Sequence, residues 1–403
     1  MMFESMYRRL SELFPEMVQW RRHFHMNPEL SFMEEKTPAT IAEYLTQLGV
    51  EVRTGVGGRG VVGIIRGGKP GKTVGIRADF DALAIQDEKD VDYKSQVPGV
   101  MHACGHDAHT ATLLAVAKVL VENKEELHGN VVLIHQFAEE IAPGGALPMI
   151  EDGCLDGVDA IFGTHLWSSH PVGEIGYRTG PIMAAADKFT IEIKGRGGHG
   201  AAPHETIDSI VVGTALVQNL QQIISRRINP LKPAVLTVAS FHAGDAFNVI
   251  ADSASIIGTV RTFDPEVQDL IIQEMERVIK TTCEGAGAQY TFVYDKGYPA
   301  VCNHPEETAL LARSAAQVVP AEHVKEMEPI MGGEDFAYYL QKVPGTFFFT
   351  GAGNPDKGAT YPHHHPKFDI DEQAMLTAAK VLITAAVNYL HEKDSKAAVA
   401  SVN

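Results

Sequence analysis

The sequence predicts an α/β protein with a mostly parallel central sheet flanked by helices and a smaller domain inserted into it. Three observations carry this prediction. Apolar strand-length runs alternate with helix-length segments up to about Met183, strict apolar–polar alternation begins near Lys188, and the α/β pattern resumes after Tyr298. At 403 residues the chain has room for two domains.

The elements follow in order. A helix is expected from Tyr7 to Met26, a turn at Asn27-Pro28, and a second helix from about Thr37 to Leu48. Strands are expected at Gly60 to Arg66, Thr73 to Ala78, Asn130 to Phe137 and Ala160 to Gly163, with the apolar helix "TATLLAVAKVL" between the second and third. The later segment reads differently. "KFTIEIKG" alternates like a half-exposed antiparallel strand, and a helix at Thr206 to Ser225 follows it. Strands "AVLTVASF" and "SASIIGTVRTF", a helix from Pro265 to Glu284 and strand "QYTFVYD" complete the order βαββαβ, a ferredoxin-like unit. Helix Glu306 to Val318, strand "GTFFFTG" and a closing helix return to the first pattern. The expected division is 1–182 with 297–403 as one discontinuous domain and 183–296 as the insertion.

Composition narrows the function. With 45% apolar and 21% charged residues the chain is neither disordered nor fibrous. A net charge of −17 argues against nucleic acid and against an anionic membrane surface, since both need a basic footprint. The N-terminus lacks a signal-peptide core, and the apolar stretch Ala374 to Leu390, interrupted by Lys380 and Asn388, reads as a packed helix. Four cysteines in a chain this long do not form a disulfide framework, so a reducing cytoplasm fits best and Cys104 is free for chemistry.

In open α/β sheets ligands bind beyond the carboxyl ends of the strands. Strand Thr73 to Ala78 leads into Asp79 and Asp81, strand Asn130 to Phe137 into Glu139 and Glu140, and strand Ala160 to Gly163 into His165. The motif "MHACGHDAHT" is expected in a loop on the same rim, just before the apolar helix. Thiolate, imidazole and carboxylate together suit zinc and related metals. His363 to His365 and the carboxylates of "GGED" are further candidates for that rim.

The segments "RADFDAL", "MHACGHDAH", "HQFAEE", "GTHLW", "GGHGAAPH", "NVIAD", "GTVRTFD", "GGEDFA" and "HHPKFDIDE" resemble, in order and over almost the whole chain, the dinuclear metallopeptidase family of N-acyl-amino-acid amidohydrolases, hippurate hydrolases and indole-acetyl-amino-acid hydrolases, relatives of aminoacylase and glutamate carboxypeptidase. The resemblance implies a zinc-peptidase-like catalytic domain holding two divalent ions (zinc, manganese, cobalt or nickel) and an inserted lid or dimerisation domain. It implies Cys104 as the ligand bridging both ions, with His106, Glu140, His165 and His364 completing the set and Glu139 as general base. It also implies that His199 donates to the oxyanion from a neighbouring subunit, and that Asn248 and Arg261 hold the substrate carboxylate. The likeness departs from the wider family at "RAD", where relatives outside this branch carry a ligating histidine in place of Arg77; Asp79 is therefore expected to orient a ligand from behind. Met183, Phe247 and Phe336 are candidates for lining the substrate pocket.

The implied reaction is hydrolysis of an N-acyl-L-amino acid, in a homodimer or dimer-based oligomer. Metallocarboxypeptidase or dipeptidase activity and N-acetyl-diaminopimelate deacetylation are alternatives within this chemistry. A cysteine hydrolase with Cys104 as nucleophile and His106 or His109 as base is a rival, and a metal-binding scaffold without turnover is another.

Overall fold

The structure, a computed structural model, describes residues 2–392. Two compact units divide the chain: one takes in residues up to Ile182, Cys302–Glu328 and the chain from Asp335 onward, the other Met183–Val301 and Pro329–Glu334.

The larger unit is built on a sheet whose strands lie in the order Glu51–Val56, Gly60–Arg66, His128–Gln136, Lys69–Asp79, Ala160–Pro171, Gly345–Gly353, Ile175–Tyr177 and Val324–Glu326. The four strands from His128–Gln136 to Gly345–Gly353 pair in parallel, and antiparallel strands flank them. Parallel strands must be covered on both faces, which is why "GTFFFTG" is buried from end to end. Gly163 is small for a packing reason: a Cβ there would lie 2.7 Å from the Phe336 ring and 2.9 Å from that of Phe347.

Helices Met2–Met26, His106–Glu122 and Gln373–His391 pack together over this sheet. Helix His106–Glu122 is buried nearly all round, as its continuous apolar composition requires. Gln373–His391 is long and apolar enough to cross a membrane, but twelve of its residues are buried within the unit, so it is a core helix.

Two sequence expectations shift here. The apolar helix begins at His106, not at Thr110, because Gly105 at φ +99° turns the chain and its carbonyl receives the amides of Ala108 and His109. His106 and His109 thus stand on the first helical turn, not in a loop. Strand Ala160–Pro171 runs past His165, because Gly345–Gly353 goes on pairing beside it. That histidine is inside the strand, level with the end of Lys69–Asp79, since Arg77 is in register with Gly163.

The smaller unit is an antiparallel sheet in the order Ala234–His242, Ser253–Thr262, Ala185–Lys194, Gln289–Tyr298, with helices Ser209–Arg226 and Pro265–Gly285 packed against it. The chain order is βαββαβ. Val212, Leu216, Leu220 and Ile223 from one helix and Ile271, Met275 and Ile279 from the other share its core, spaced so that they fall on one face of each. Asp208 and Asp264 cap these helices by accepting amides of their first turns. The unit also takes in Pro329–Glu334, because the Ala184 amide bonds the carbonyls of Ile330 and Gly332, a long-range pairing that local alternation does not reveal.

Candidate functional site

In the larger unit, residues far apart in the chain converge at the ends of the parallel strands. Cys104 Sγ lies 3.3 Å from His165 Nε2, and His364 Nε2 lies 3.3 Å from a Glu140 carboxylate oxygen. The donor atoms of Cys104, His106 and His165 fall within 4.8 Å of one another, and so do those of Cys104, Glu140 and His364. Cys104 belongs to both sets. His365 is turned elsewhere: its Nδ1 accepts from the Lys367 amide and its ring stacks on Tyr361.

The orientation of His106 is fixed from behind. Its Nδ1 lies 3.0 Å from both a side-chain oxygen and the carbonyl of Asp81, so Nδ1 donates its proton there and Nε2 is the atom turned toward the cluster. Asp81 in turn accepts from Ser31 Oγ at 2.6 Å and from the Glu140 amide at 3.0 Å. Asp79, expected behind a ligand, accepts from His109 Nδ1 at 2.6 Å and from Arg77 at 2.6 Å. His109 Nε2 receives the Leu166 amide, the residue next to His165, so both of its nitrogens are used. In the sequence reading Asp81 is a rim carboxylate without an assigned role and His109 is only the alternative base of the rival cysteine hydrolase, although "RADFDAL" after a strand already offered two carboxylates to this rim.

Two of the three non-glycine residues with positive φ among the described residues stand in ligand-bearing segments: Ala138 at +50° and His364 at +64°. Such backbone costs about 1–3 kcal/mol per residue and persists only where its surroundings impose it.

The electrostatics call for a cation. Burial pushes the Cys104 thiol well above its ordinary value, and Glu140, Glu139 and Asp79 push it further. Burial alone would depress His106, but Asp79, Asp81 and Glu140 outweigh it and raise the imidazole to about 10. His106 Nε2 nonetheless has no hydrogen-bond partner among the described residues; it faces Asp79, Glu140 and Glu139 carboxylates at 3.8, 3.8 and 3.9 Å. Glu140 Oε1 is buried and unpartnered as well. Burial, aided by His109 and His363, keeps His165 neutral, as a ligating imidazole must be. Orphaned nitrogen and oxygen atoms beside a thiol, in a surplus of negative charge, fit divalent metal.

His102, in the same motif, is buried with neither ring nitrogen bonded, and burial lowers it to about 4. Asp107 accepts from Arg21 and His25. Phe336 is wholly buried against Phe347 and Met183 is buried too, whereas Phe247 is fully exposed, so the first two are packing residues and not an open pocket wall.

The remaining candidates belong to the smaller unit. His199 and Asn248 stand together: Val249 pairs with His199 on a two-stranded ribbon, and the Asn248 carbonyl accepts the Gly200 amide. His199 is exposed, with Nδ1 accepting from the Ala201 amide. Arg261 lies apart on strand Ser253–Thr262, half-buried, and no side-chain hydrogen bond or ion pair among the described residues engages its guanidinium. Burial lowers its pKa, and Asp187 only partly opposes this.

Residues 75–388 match peptidase family M20/M25/M40, and the chain belongs to that family. It is a metal-dependent hydrolase. Over 382 residues it is 59% identical to YhaA of Bacillus subtilis, covering 95% of this chain and 96% of that one. It is 47% identical over 303 residues to the N-acyl-L-amino acid amidohydrolase of Geobacillus stearothermophilus, covering 75% of this chain and 82% of the relative. Among solved structures it is similar to Bacillus subtilis YxeP, described as a dinuclear metal binding peptidase, with a TM-score of 0.82 at 36% identity over 94% of this chain and 99% of the other.

Proposed function

We propose that this hydrolase cleaves the amide bond of N-acyl-L-amino acids, releasing a carboxylate and a free amino acid. The observation that carries the reading is the convergence of Cys104, His106, Glu140, His165 and His364 on a buried, anion-rich cluster in which His106 Nε2 and Glu140 Oε1 have no hydrogen-bond partner among the described residues. These five residues would hold two divalent ions, of zinc, manganese, cobalt or nickel, with Cys104 shared between the two sets. When bound, the ions supply a more acidic water and a polarised scissile carbonyl.

The chain's own residues do the rest. Glu139, beside Glu140 and close to His106, takes the proton of the attacking water and returns it to the leaving nitrogen. Arg261, whose guanidinium has no hydrogen bond or ion pair among the described residues, binds the free carboxylate of the substrate through its planar fork, together with Asn248. His199 donates to the oxyanion, reaching in from the second subunit of a homodimer. Asp79 acts through His109 and Asp81 through His106, holding imidazoles in place. The nucleophilic-cysteine reading loses ground on the same electrostatics, because Cys104 without a cation is a protonated thiol. Four free cysteines accord with a cytoplasmic enzyme.

The test is a screen of N-acetyl- and N-benzoyl-L-amino acids, with dipeptides alongside, on enzyme stripped by chelator and reloaded with each metal. Release of amine from the N-acyl substrates should vanish on chelation and return with metal; full activity in stripped enzyme overturns the reading, and preference for dipeptides redirects it to a peptidase. Arg261→Ala should raise KM for substrates with a free carboxylate by roughly 10- to 100-fold and leave their amides little changed. An equal effect on both removes Arg261 from carboxylate binding.

A further inference from the structure

Glu34 is wholly buried and outside the cluster, on the segment that leads into helix Lys36–Gln47. Its Oε1 accepts the Ala138 amide at 2.9 Å, and its Oε2 has no hydrogen-bond partner among the described residues. Ala138 is the left-handed residue that immediately precedes Glu139 and Glu140. On an extended chain, consecutive side chains point to opposite faces, yet Glu139 and Glu140 both come within 4 Å of His106 Nε2. The left-handed turn at Ala138 sets the direction in which the segment carrying both carboxylates leaves strand His128–Gln136. Ala138 is not a glycine, so the conformation must be imposed by its neighbours. The Ala138 carbonyl is tied to the Gly145 amide, and the amide is tied to Glu34. The Glu34 segment also reaches Asp81 through Ser31.

We propose that Glu34 is a positioning residue, holding the Ala138 turn so that the segment carrying Glu139 and Glu140 is aimed at His106. This rests on the reading of Glu139 as base and Glu140 as ligand. Glu34 touches neither substrate nor metal and acts only through the backbone amide.

The experiment compares Glu34→Ala, Glu34→Asp and Glu34→Gln, and the double variant Glu34→Ala/Ala138→Gly, with Glu139→Gln run in parallel. Glu34→Ala and Glu34→Asp lose the acceptor at that distance. Each should lower kcat about 100-fold with KM little changed and weaken metal affinity, read by equilibrium dialysis, by about tenfold. Glu34→Gln keeps an acceptor oxygen and should retain at least half the activity. Glycine at position 138 adopts the left-handed turn without help, so the double variant should recover about tenfold in kcat over Glu34→Ala. If Glu34→Ala does not fold, Glu34→Asp carries the same readings. Normal kcat and metal affinity in Glu34→Asp, a Gln variant as impaired as Ala, or no recovery in the double variant overturns the proposal. An active Glu139→Gln enzyme would instead overturn the reading beneath it.

Discussion

Glu139 and Glu140 are neighbours in sequence with different environments. Glu140 bonds His364 and offers a buried, unpartnered oxygen, while Glu139 stands 3.9 Å from His106. If one is the base and the other a ligand, Glu139→Gln should lower kcat by about 10² to 10⁴-fold and leave bound metal unchanged by elemental analysis. Loss of metal in that variant would exchange the two roles. Glu34 makes a second prediction, on stability. Burial, reinforced by Asp81, raises its carboxyl from 4.5 to about 8 despite the Ala138 amide and Arg59. Across that window the unfolded chain gives up the proton and the folded chain keeps it, so stability is present at the acid end and declines as pH rises toward 8. Glu34→Gln cannot ionise, and its melting temperature should fall less than that of the parent between about pH 5 and pH 8. Parallel curves would mean that Glu34 is already ionised in the fold.

At the scale of elements, helix His106–Glu122 sets the site because its first turn carries His106, Asp107 and His109. Arg21, fully buried on helix Met2–Met26, bonds Asp107 at 2.9 Å and Asp369 at 2.7 Å, and reaches Glu372 at 3.3 Å. One guanidinium therefore ties the segment of His106 to the segment of His364. Arg21→Met would remove the one cation that bonds both Asp107 and Asp369, and should destabilise the enzyme by about 3–5 kcal/mol in denaturant titration. A loss below 1 kcal/mol would show that Lys89, Arg22 and Tyr93 nearby compensate. Element types and order were legible because their signal is local. "GVVGIIR" and "GTFFFTG" are strand-like in composition, and the alternation of "KFTIEIKG" marks a sheet with one open face. The ends were less legible. The start of the helix at His106 depends on Gly105, and the extension of strand Ala160–Pro171 on a partner almost two hundred residues away.

At the scale of the molecule, the proposed lid histidine gives a prediction that no single chain can meet. If His199 of one subunit serves the Glu139 site of the other, mixing inactive His199→Ala and Glu139→Gln enzymes should restore about a quarter of parental activity after subunit exchange. Heterodimers shown to be present but inactive would put His199 outside the reaction.

The chemistry-bearing residue types were visible along the chain: Glu139, Glu140 and His165 follow strand-like runs, Cys104 and His106 share one motif, and the family resemblance singles out His364. So was the change from α/β pattern to alternation, since periodicity is a property of neighbouring residues. Tertiary structure alone decided that His364 meets Glu140 through a left-handed backbone while His365 turns away, that Asp81 rather than Asp79 bonds His106, and that Glu34 and Arg21 secure the segments. Those outcomes depend on strand register, on two left-handed backbone turns and on buried ion pairs spanning as many as 348 residues of sequence. Such distances are set by packing, which no local pattern encodes.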